Sequence, residues 1–565
     1  MAEQDFYIGF DVGTGSARAA LLDRQGRMLA DSTENTITYR DELDHRIFEQ
    51  SSSDIWSCLA KCCKNVLRQS GVSAEAVKGV SFDATCSLTV VDEHGTPISV
   101  TKGDGLGKAG DRNIILWADH RAEKEADEIN NTGEGVLNFV GGVMSLEMEI
   151  PKTLWLKRHM SLEDFEGVNL FDLPDYRLES LVKRNYEQIG GSPGENGLIM
   201  TAGQPVSNGL TASTASEFGL KEGTPVGSAV IDAYAGWIGT IAASHDHEDV
   251  AGNTPSLAES SSRLAAVAGT STCHLVQSDH GILVNGVWGP YRHAVFPDYW
   301  MNEGGQSSTG QLIDFIIQTH PAYNKVLDMA KEQSSNVFDI LENTLEELKK
   351  GRGCGSSSNR SPLADPTMRG MFMGLTLDSG VGDLAMKFHV TLEAIALQTR
   401  HILDEMHTRG HHITAIYMSG SQAKNKSLMD LLASVCNVKV IIPPNPSSAV
   451  VAGSAMLGRY AHEVAEARKG EPISTQAQQQ ESAKTSSEAL WRIMVCRTDI
   501  HTLPRLSKRG DLLLIVQVEM TPEGKAVLPA ATNYEKRLLD VKYKIFKESI
   551  DVQRRWRKMV ENVEE

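Results

Sequence analysis

Positive charge is in short supply. The chain sets 55 Lys and Arg against 73 Asp and Glu, a formal net charge of −18. Broad binding to nucleic acid or to an anionic membrane needs a basic surface, so neither is expected as a partner. Long apolar runs are also missing. The strongest late run, Leu512 to Val518, is far shorter than a bilayer span. The opening residues, MAEQDFYIGF, carry neither the basic region nor the apolar core of a secretory signal. Cysteine is sparse: eight residues, scattered, with Cys58, Cys62 and Cys63 inside a helical pattern and no matching ligand pair elsewhere. That argues against a zinc site or a disulfide framework, and a reducing, cytoplasmic setting is expected.

What is present is an ordinary globular balance, 41% apolar and 23% charged, spread over 565 residues. That length exceeds one compact core and predicts two or more domains. The stretch Tyr7 to Leu22, YIGFDVGTGSARAALL, organises the first. Ile8, Phe10 and Val12 alternate as in a half-buried strand. Gly13, Thr14 and Gly15 make a tight turn, and Ala17 to Leu22 is a second strand. Glycines let backbone N–H groups approach phosphate oxygens, Thr14 and Ser16 add hydroxyls, and Asp11 can hold Mg²⁺ directly or through water. The turn is not a Walker A loop, since no Gly-Lys-Ser/Thr follows. It is not a dinucleotide fingerprint either, since a strand follows it rather than a helix. Alone, the stretch fits an ordinary glycine hairpin equally well.

A third short strand, Arg27 to Ala30, completes a meander. Ser53 to Gln69 reads as an amphipathic helix capped by Ser53 or Asp54. Val77 to Val80, Leu88 to Val91 and Ile114 to Trp117 read as further strands, and 122–130 as a helix, which together indicate an α/β domain. Asp119, His120 and Arg121 follow a buried strand, where open sheets bind ligands, but an N-cap with solvated neighbours explains them as well. Asp232, after the strand Pro225 to Ile231, is a candidate general base or a helix N-cap. Leu264 to Ala268, Gly269-Thr270-Ser271-Thr272 and Cys273 to Val276 repeat the opening hairpin's design. Two such hairpins suggest two related domains facing one nucleotide. Gln311 opens a helix, and Thr391 to Arg409 is a long one. The strand Ile413 to Met418 ends in Ser419-Gly420-Ser421-Gln422-Ala423-Lys424-Asn425. Val438 to Ile442 is a strand, and Ser448 to Tyr460 a small-residue helix.

Together the pieces GFDVGTGSARAAL, ILWADHRA, PKTLWLK, VIDAYAG, AVAGTSTCHL, NEGGQSSTG, NRSPLADPTMRGMFMGLTLD, MSGSQAKN and AVVAGSAMLG resemble, in order, the FGGY carbohydrate kinase family. Among its branches, SFDATCSL, ILWADHRA and NRSPLADP are most similar to the eukaryotic D-ribulokinases, with bacterial L-ribulokinases next. The resemblance implies an α/β fold of two RNase-H-like domains, of the actin/hexokinase/Hsp70 ATPase superfamily, closing on ATP and a small-molecule sugar. It implies ATP-dependent phosphorylation of a ketopentose, D-ribulose first, with L-ribulose or another pentulose or polyol as alternatives. Asp11 falls at the magnesium-associated position. Gly13, Thr14, Gly15, Ser16 and Arg18 match the first phosphate hairpin, and Gly269, Thr270 and Ser271 the second. Asp232 matches the catalytic base. Gly310, Gly420, Ser421, Gln422 and Asn425 match the adenosine pocket. Asp83, Ala84, Thr85, Trp117, Asp119 and Glu303 fall where related kinases contact sugar.

Three departures stand out. Asp175-Tyr176 runs almost directly into Leu178, where relatives carry a Cys-x-x-x-Cys-Lys-Trp segment that supports the sugar site. The run LKKGRGCGSSS precedes NRSP in place of strands ending in an aromatic-Gly or His-Gly turn. Cys496 to Val518 reads as an insertion forming a surface loop. A chain lacking the first segment could be an ATP-binding protein inactive on sugar. The expected organisation is an N-terminal domain over 1–245, an interdomain loop over 246–262 and a C-terminal domain over 263–470. A flexible linker over 471–487 and an extension over 488–565 follow, the latter ending in a long helix from Tyr534.

Overall fold

Phe6–Val12 (β1), Ser16–Asp23 (β2) and Met28–Asn35 (β3) form an antiparallel meander, with Asp11 opposite Arg18 across the first hairpin. All seven residues of β1 are buried, so the strand is covered on both faces rather than half-buried. One face meets Ser52–Ser70 (α1) through Ile55, Leu59 and Cys62. Ser51 caps α1 by accepting from the Asp54 amide, two residues ahead of the expected cap. Val77–Ala84 (β4) lies parallel to β1, with Asp11 in register with Asp83, and Val226–Ile231 (β5) lies parallel to β4. In the computed structural model, residues 4–175, 198–245, 255–348, 354–356, 362, 370–495, 498–501, 515–518, 520 and 524–564 are described.

The first sheet runs β5-β4-β1-β2-β3. The second repeats that plan. Arg263–Ala268 (β6) and Thr272–Ser278 (β7) form its hairpin, and Trp288–Arg292 (β8) and Trp300–Gln306 (β9) extend it on one side. Ala415–Ser419 (β10) and Lys439–Ile442 (β11) lie parallel on the other, and Lys525–Val527 (β12) closes that edge. Five strands of each sheet thus share one order: an antiparallel meander with two parallel strands beside its first member. Parallel neighbours put their carboxyl ends on one edge, which is where open sheets bind ligands. The strands at 88–92 and 112–115 belong to neither sheet. They join Tyr39–Arg40, Phe48–Ser51 and Val168–Asp172 in a separate antiparallel sheet that projects from the first half.

Ala449–Ala467 (α5), late in sequence, packs on the first sheet. Small residues make that approach possible: a Cβ on Gly9 would sit 2.0 Å from Val451 O. The helix also meets Asp232–Ile238 (α2), so it locks the two halves together. Gly310–Gln318 (α3) and Val381–Thr408 (α4) pack in the second core. The latter helix starts ten residues before the expected Thr391, because Leu384, Ala385 and Phe388 already bury.

The expected linker over 471–487 is instead mostly helix, Gln476–Met494 (α6). Its polar composition does not prevent docking, because buried amides and hydroxyls find partners. Gln479 Nε2 donates to Thr201 Oγ1 (2.7 Å) and Ser482 Oγ to Gln204 Oε1 (2.7 Å). Within the expected insertion, the backbone of Thr498–His501 pairs with Ile515–Val518 as a ribbon of its own. The long helix Asn533–Glu564 (α7) buries Leu539, Tyr543, Phe546 and Ile550 in the second core. The stretch after Asp175 and most of the NRSP region lie outside the described residues. Among the described residues, no helix is long and apolar enough to cross a membrane.

Candidate active site

A cavity of about 250 Å³ opens where the strand ends of the first sheet face the second hairpin. Its walls bring together thirteen expected residues. Asp11, Gly13, Thr14, Arg18, Thr85, Trp117 and Asp232 come from the first half, and Gly269, Thr270, Ser271, Glu303, Gly420 and Ser421 from the second.

The floor is acidic. The register between β1 and β4 sets Asp11 beside Asp83, and both are buried. Burial raises both carboxyl pKa values, Asp83 further because of the adjacent Asp11 charge. Arg18 sits 2.7 Å from Asp11 Oδ2 and donates from Nη1 to Ser447 O (3.3 Å), so one guanidinium spans β2 and the segment entering α5. Among the described residues no N–H or hydroxyl donates to either oxygen of Asp83, and its hydrogen-bonding neighbour is the Asp11 carboxyl. Asp83 supports the floor from beneath and does not line the cavity.

Asp232 opens α2 directly after β5. The cap residue is Ile231, and among the described residues the Asp232 carboxylate accepts from the adjacent Ala233 amide alone (2.7 Å). It therefore does not do the work of an N-cap. Burial, then the charge of Asp11, pushes its pKa up to about 7.

The two hairpins are held differently. In the first, Gly13 N–H donates to Ser16 O (2.9 Å) and Gly15 O accepts from Thr36 N–H (3.1 Å). Gly15 and Ser16 do not reach the cavity wall. In the second, Gly269 N–H donates to Ser271 O (2.8 Å), and Thr270 O accepts from the Thr309 and Gln311 amides at the start of α3. Gln422 Nε2 donates to Gly269 O and Thr309 Oγ1, each at 2.7 Å. Gln422 thus braces the hairpin rather than facing the cavity. Gly310 is confined there, since a Cβ would lie 2.4 Å from Gly269 O. Gly420 takes φ +87 against Ala268 O. Asn425 caps the helix Lys426–Cys436 by accepting from Leu428 N–H (2.9 Å).

On the sugar side, Ala84 is buried behind the wall and Thr85 N–H donates to Val12 O (3.0 Å). Trp117 lines the cavity. Asp119 does not: its oxygens accept from Arg121 and from Phe48 N–H (2.7 Å), and Arg121 also binds Glu49. That closed, buried ion network makes Asp119 a structural residue, because no lone pair is left facing the cavity.

Cys86, Glu147, Cys273 and Ser447 line the cavity without having been expected. Cys86 and Cys273 lie inside motifs already singled out, SFDATCSL and AVAGTSTCHL. Glu147 stands five residues before Lys152 of PKTLWLK. Burial pushes the Cys86 thiol well above its usual range, which disfavours the thiolate.

Two sheets of one strand order, each contributing a glycine hairpin to a shared acidic cavity, define a two-domain kinase of the ribonuclease-H-like type. The chain belongs to the FGGY family of carbohydrate kinases: its N-terminal domain model matches residues 6–180 and its C-terminal domain model residues 264–462. It is a carbohydrate kinase, a phosphotransferase of a family whose phosphoryl donor is ATP. A D-ribulokinase of Saccharomyces cerevisiae is 36% identical over 685 aligned positions, covering 100% of this chain and 94% of that protein. The alignment is longer than the chain, so segments of that relative have no counterpart here. An FGGY carbohydrate kinase domain-containing protein of Xenopus laevis is 38% identical, covering 81% of this chain and 89% of its own length. Among solved structures, a xylulose kinase from Rhodospirillum rubrum shares the fold with a TM-score of 0.64 at 17% identity, covering 98% of this chain and 99% of that one.

Proposed function

We propose that the protein transfers the γ-phosphoryl group of ATP to the terminal hydroxyl of a ketopentose, D-ribulose before L-ribulose or another pentulose. The observation that carries this reading is Asp232, a half-buried carboxylate with its pKa pushed up to about 7, lining one cavity with both hairpins. The identity to a D-ribulokinase supports the sugar class.

In the proposed reaction the sugar stands between Trp117, Thr85 and Glu303. Its terminal hydroxyl lies near Asp232, which takes the proton as the oxygen attacks the γ-phosphorus in line. The new P–O bond forms as the bond to the β–γ bridging oxygen breaks, and ADP leaves. Amides of the Gly13 and Gly269 turns and the Thr270 hydroxyl spread the developing charge. Arg18, paired with Asp11, holds that carboxylate in line with the hairpin.

Mg²⁺ fits the floor. Among the described residues no group of three or more His, Cys, Asp or Glu could hold a metal alone. Magnesium at phosphate sites commonly takes only one or two carboxylates, with phosphate and water completing the shell. Asp11, which lines the cavity, supplies such a carboxylate. When bound, the ion would neutralise charge on the β- and γ-phosphates.

A second reading, an ATP-binding protein without sugar turnover, draws on the relative's segments that this chain lacks. One experiment separates the two: purified protein with ATP and Mg²⁺ against a panel of ketopentoses and polyols. Turnover highest with D-ribulose supports the first. Nucleotide binding with no turnover on any sugar supports the second and overturns the first.

A further inference from the structure

Lys152 is fully buried, and its ammonium donates to three backbone carbonyls: Leu116 O (2.8 Å), Trp117 O (3.0 Å) and Glu147 O (3.1 Å). An ammonium has three N–H donors, so all are spent. Two of the acceptors belong to the cavity wall. Trp117 is its aromatic face. Glu147 reaches across to the other half, where its Oε1 accepts from Ser307 Oγ at 2.9 Å. Ser307 directly follows β9, two residues before Thr309, whose amide donates to Thr270 O of the second hairpin. The same N-terminal segment touches the other half again nearby. Gly286 N–H donates to Gly141 O (2.9 Å), and Val140 pairs with Trp288. Sugar kinases of two domains commonly close on their ligands, and a cleft that closes needs contacts made on closure.

We propose that the Glu147–Ser307 hydrogen bond is the latch of the closed cleft, and that Lys152 is a positioning residue joining this latch to the Trp117 wall. A sugar seated against Trp117 then steadies Glu147. Through Ser307 and Thr309, Glu147 steadies the hairpin that meets the nucleotide. The two ligands therefore strengthen each other's binding by one common factor. The consequence for ligands rests on the kinase reading above; the latch itself does not.

The test uses the full-length protein with Ser307→Ala, Glu147→Ala, Glu147→Gln and Lys152→Met. Amide hydrogen exchange is followed without ligands, and affinity for a non-hydrolysable ATP analogue is measured with and without D-ribulose. Ser307→Ala and Glu147→Ala are expected to speed exchange at 140–149 and 300–311. They should lower the mutual strengthening about tenfold, as for a lost hydrogen bond to a charged group. Glu147→Gln keeps a carbonyl acceptor for Ser307 and should restore most of it. The Ser307→Ala, Glu147→Ala double variant should be no worse than either single change, since both break the same bond. Lys152→Met should also speed exchange at 115–118, which the Ser307 variant leaves alone. Exchange in Ser307→Ala matching the unaltered protein on both segments overturns the latch, and so does additivity in the double variant. If the unaltered protein binds no sugar, the kinase reading fails while the exchange measurements still decide the latch.

Discussion

The indole Nε1–H of Trp117 donates to the Thr14 hydroxyl across 3.0 Å. A residue on the sugar wall is thereby fixed to the turn of the first phosphate hairpin. Thr14 is held from its other side as well, by Gln50 Nε2 donating to its carbonyl (2.9 Å). The two subsites share one rigid corner, so disturbance of either reaches the other.

Trp117→Phe keeps an aromatic face and removes that hydrogen bond. Steady-state kinetics should show KM for both sugar and ATP rising, together by roughly three- to tenfold, as expected for one buried hydrogen bond of about 1 kcal/mol. A change confined to the sugar KM would show that the corner is not shared.

Acting as the proposed base, Asp232 should set the pH profile. Its folded pKa lies near 7, so the proton-accepting form is populated above that value. Below about pH 7, kcat/KM should fall about tenfold per unit, and above it the profile should level. Asp232→Asn should abolish that limb and lower kcat at least a hundredfold, while ATP analogue binding persists.

The same shift has a stability consequence of opposite sense. A carboxyl whose pKa is raised on folding binds more protons folded than unfolded, so stability falls as pH rises from about 4 through about 7. Asp232→Asn carries no such charge. At pH 8 its unfolding free energy should exceed that of the unaltered protein by up to about 4 kcal/mol, a difference that vanishes at pH 4.

Asp119→Ala should act on stability first. It strips Arg121 of its bidentate partner and orphans Phe48 N–H, costing about 3 kcal/mol in urea unfolding. The folded fraction should keep a sugar KM within about twofold. A selective loss of sugar affinity at full stability would return Asp119 to the sugar site.

Gly9→Ala tests the packing of α5. The new methyl would stand 2.0 Å from Val451 O and 2.6 Å from Ala455 N, both backbone atoms of one helix. Destabilisation of roughly 3 kcal/mol is expected by urea denaturation.

Legibility followed the range of the signal. Hairpins read well because turn and strands are neighbours in sequence: Gly13 and Gly269 each mark a tight turn between apolar runs, and both turns line the cavity. Asp232 is legible as a candidate, but its local pattern favours a helix cap, and α2 begins at it with Ile231 as the cap instead. The segment over 471–487 looks like a linker because its composition is polar, but most of it is helix whose docking depends on Thr201 and Gln204, far away in the chain. Asp119 stands off the cavity for the same reason: Arg121 is local, but Glu49 and Phe48 are not.

The sequence by itself determined the two hairpins, the acidic strand ends and the family, because each rests on short-range spacing or on motif order. Tertiary structure alone decided which carboxylates remain open to chemistry. The parallel register of β1 with β4 sets Asp11 against Asp83, and the antiparallel sheet closes Asp119 into an ion network. The meeting of two halves hundreds of residues apart leaves Asp232 half-buried on the cavity wall and joins Glu147 to Ser307. Those outcomes depend on desolvation and on partners brought together by packing, which no local pattern of residues encodes.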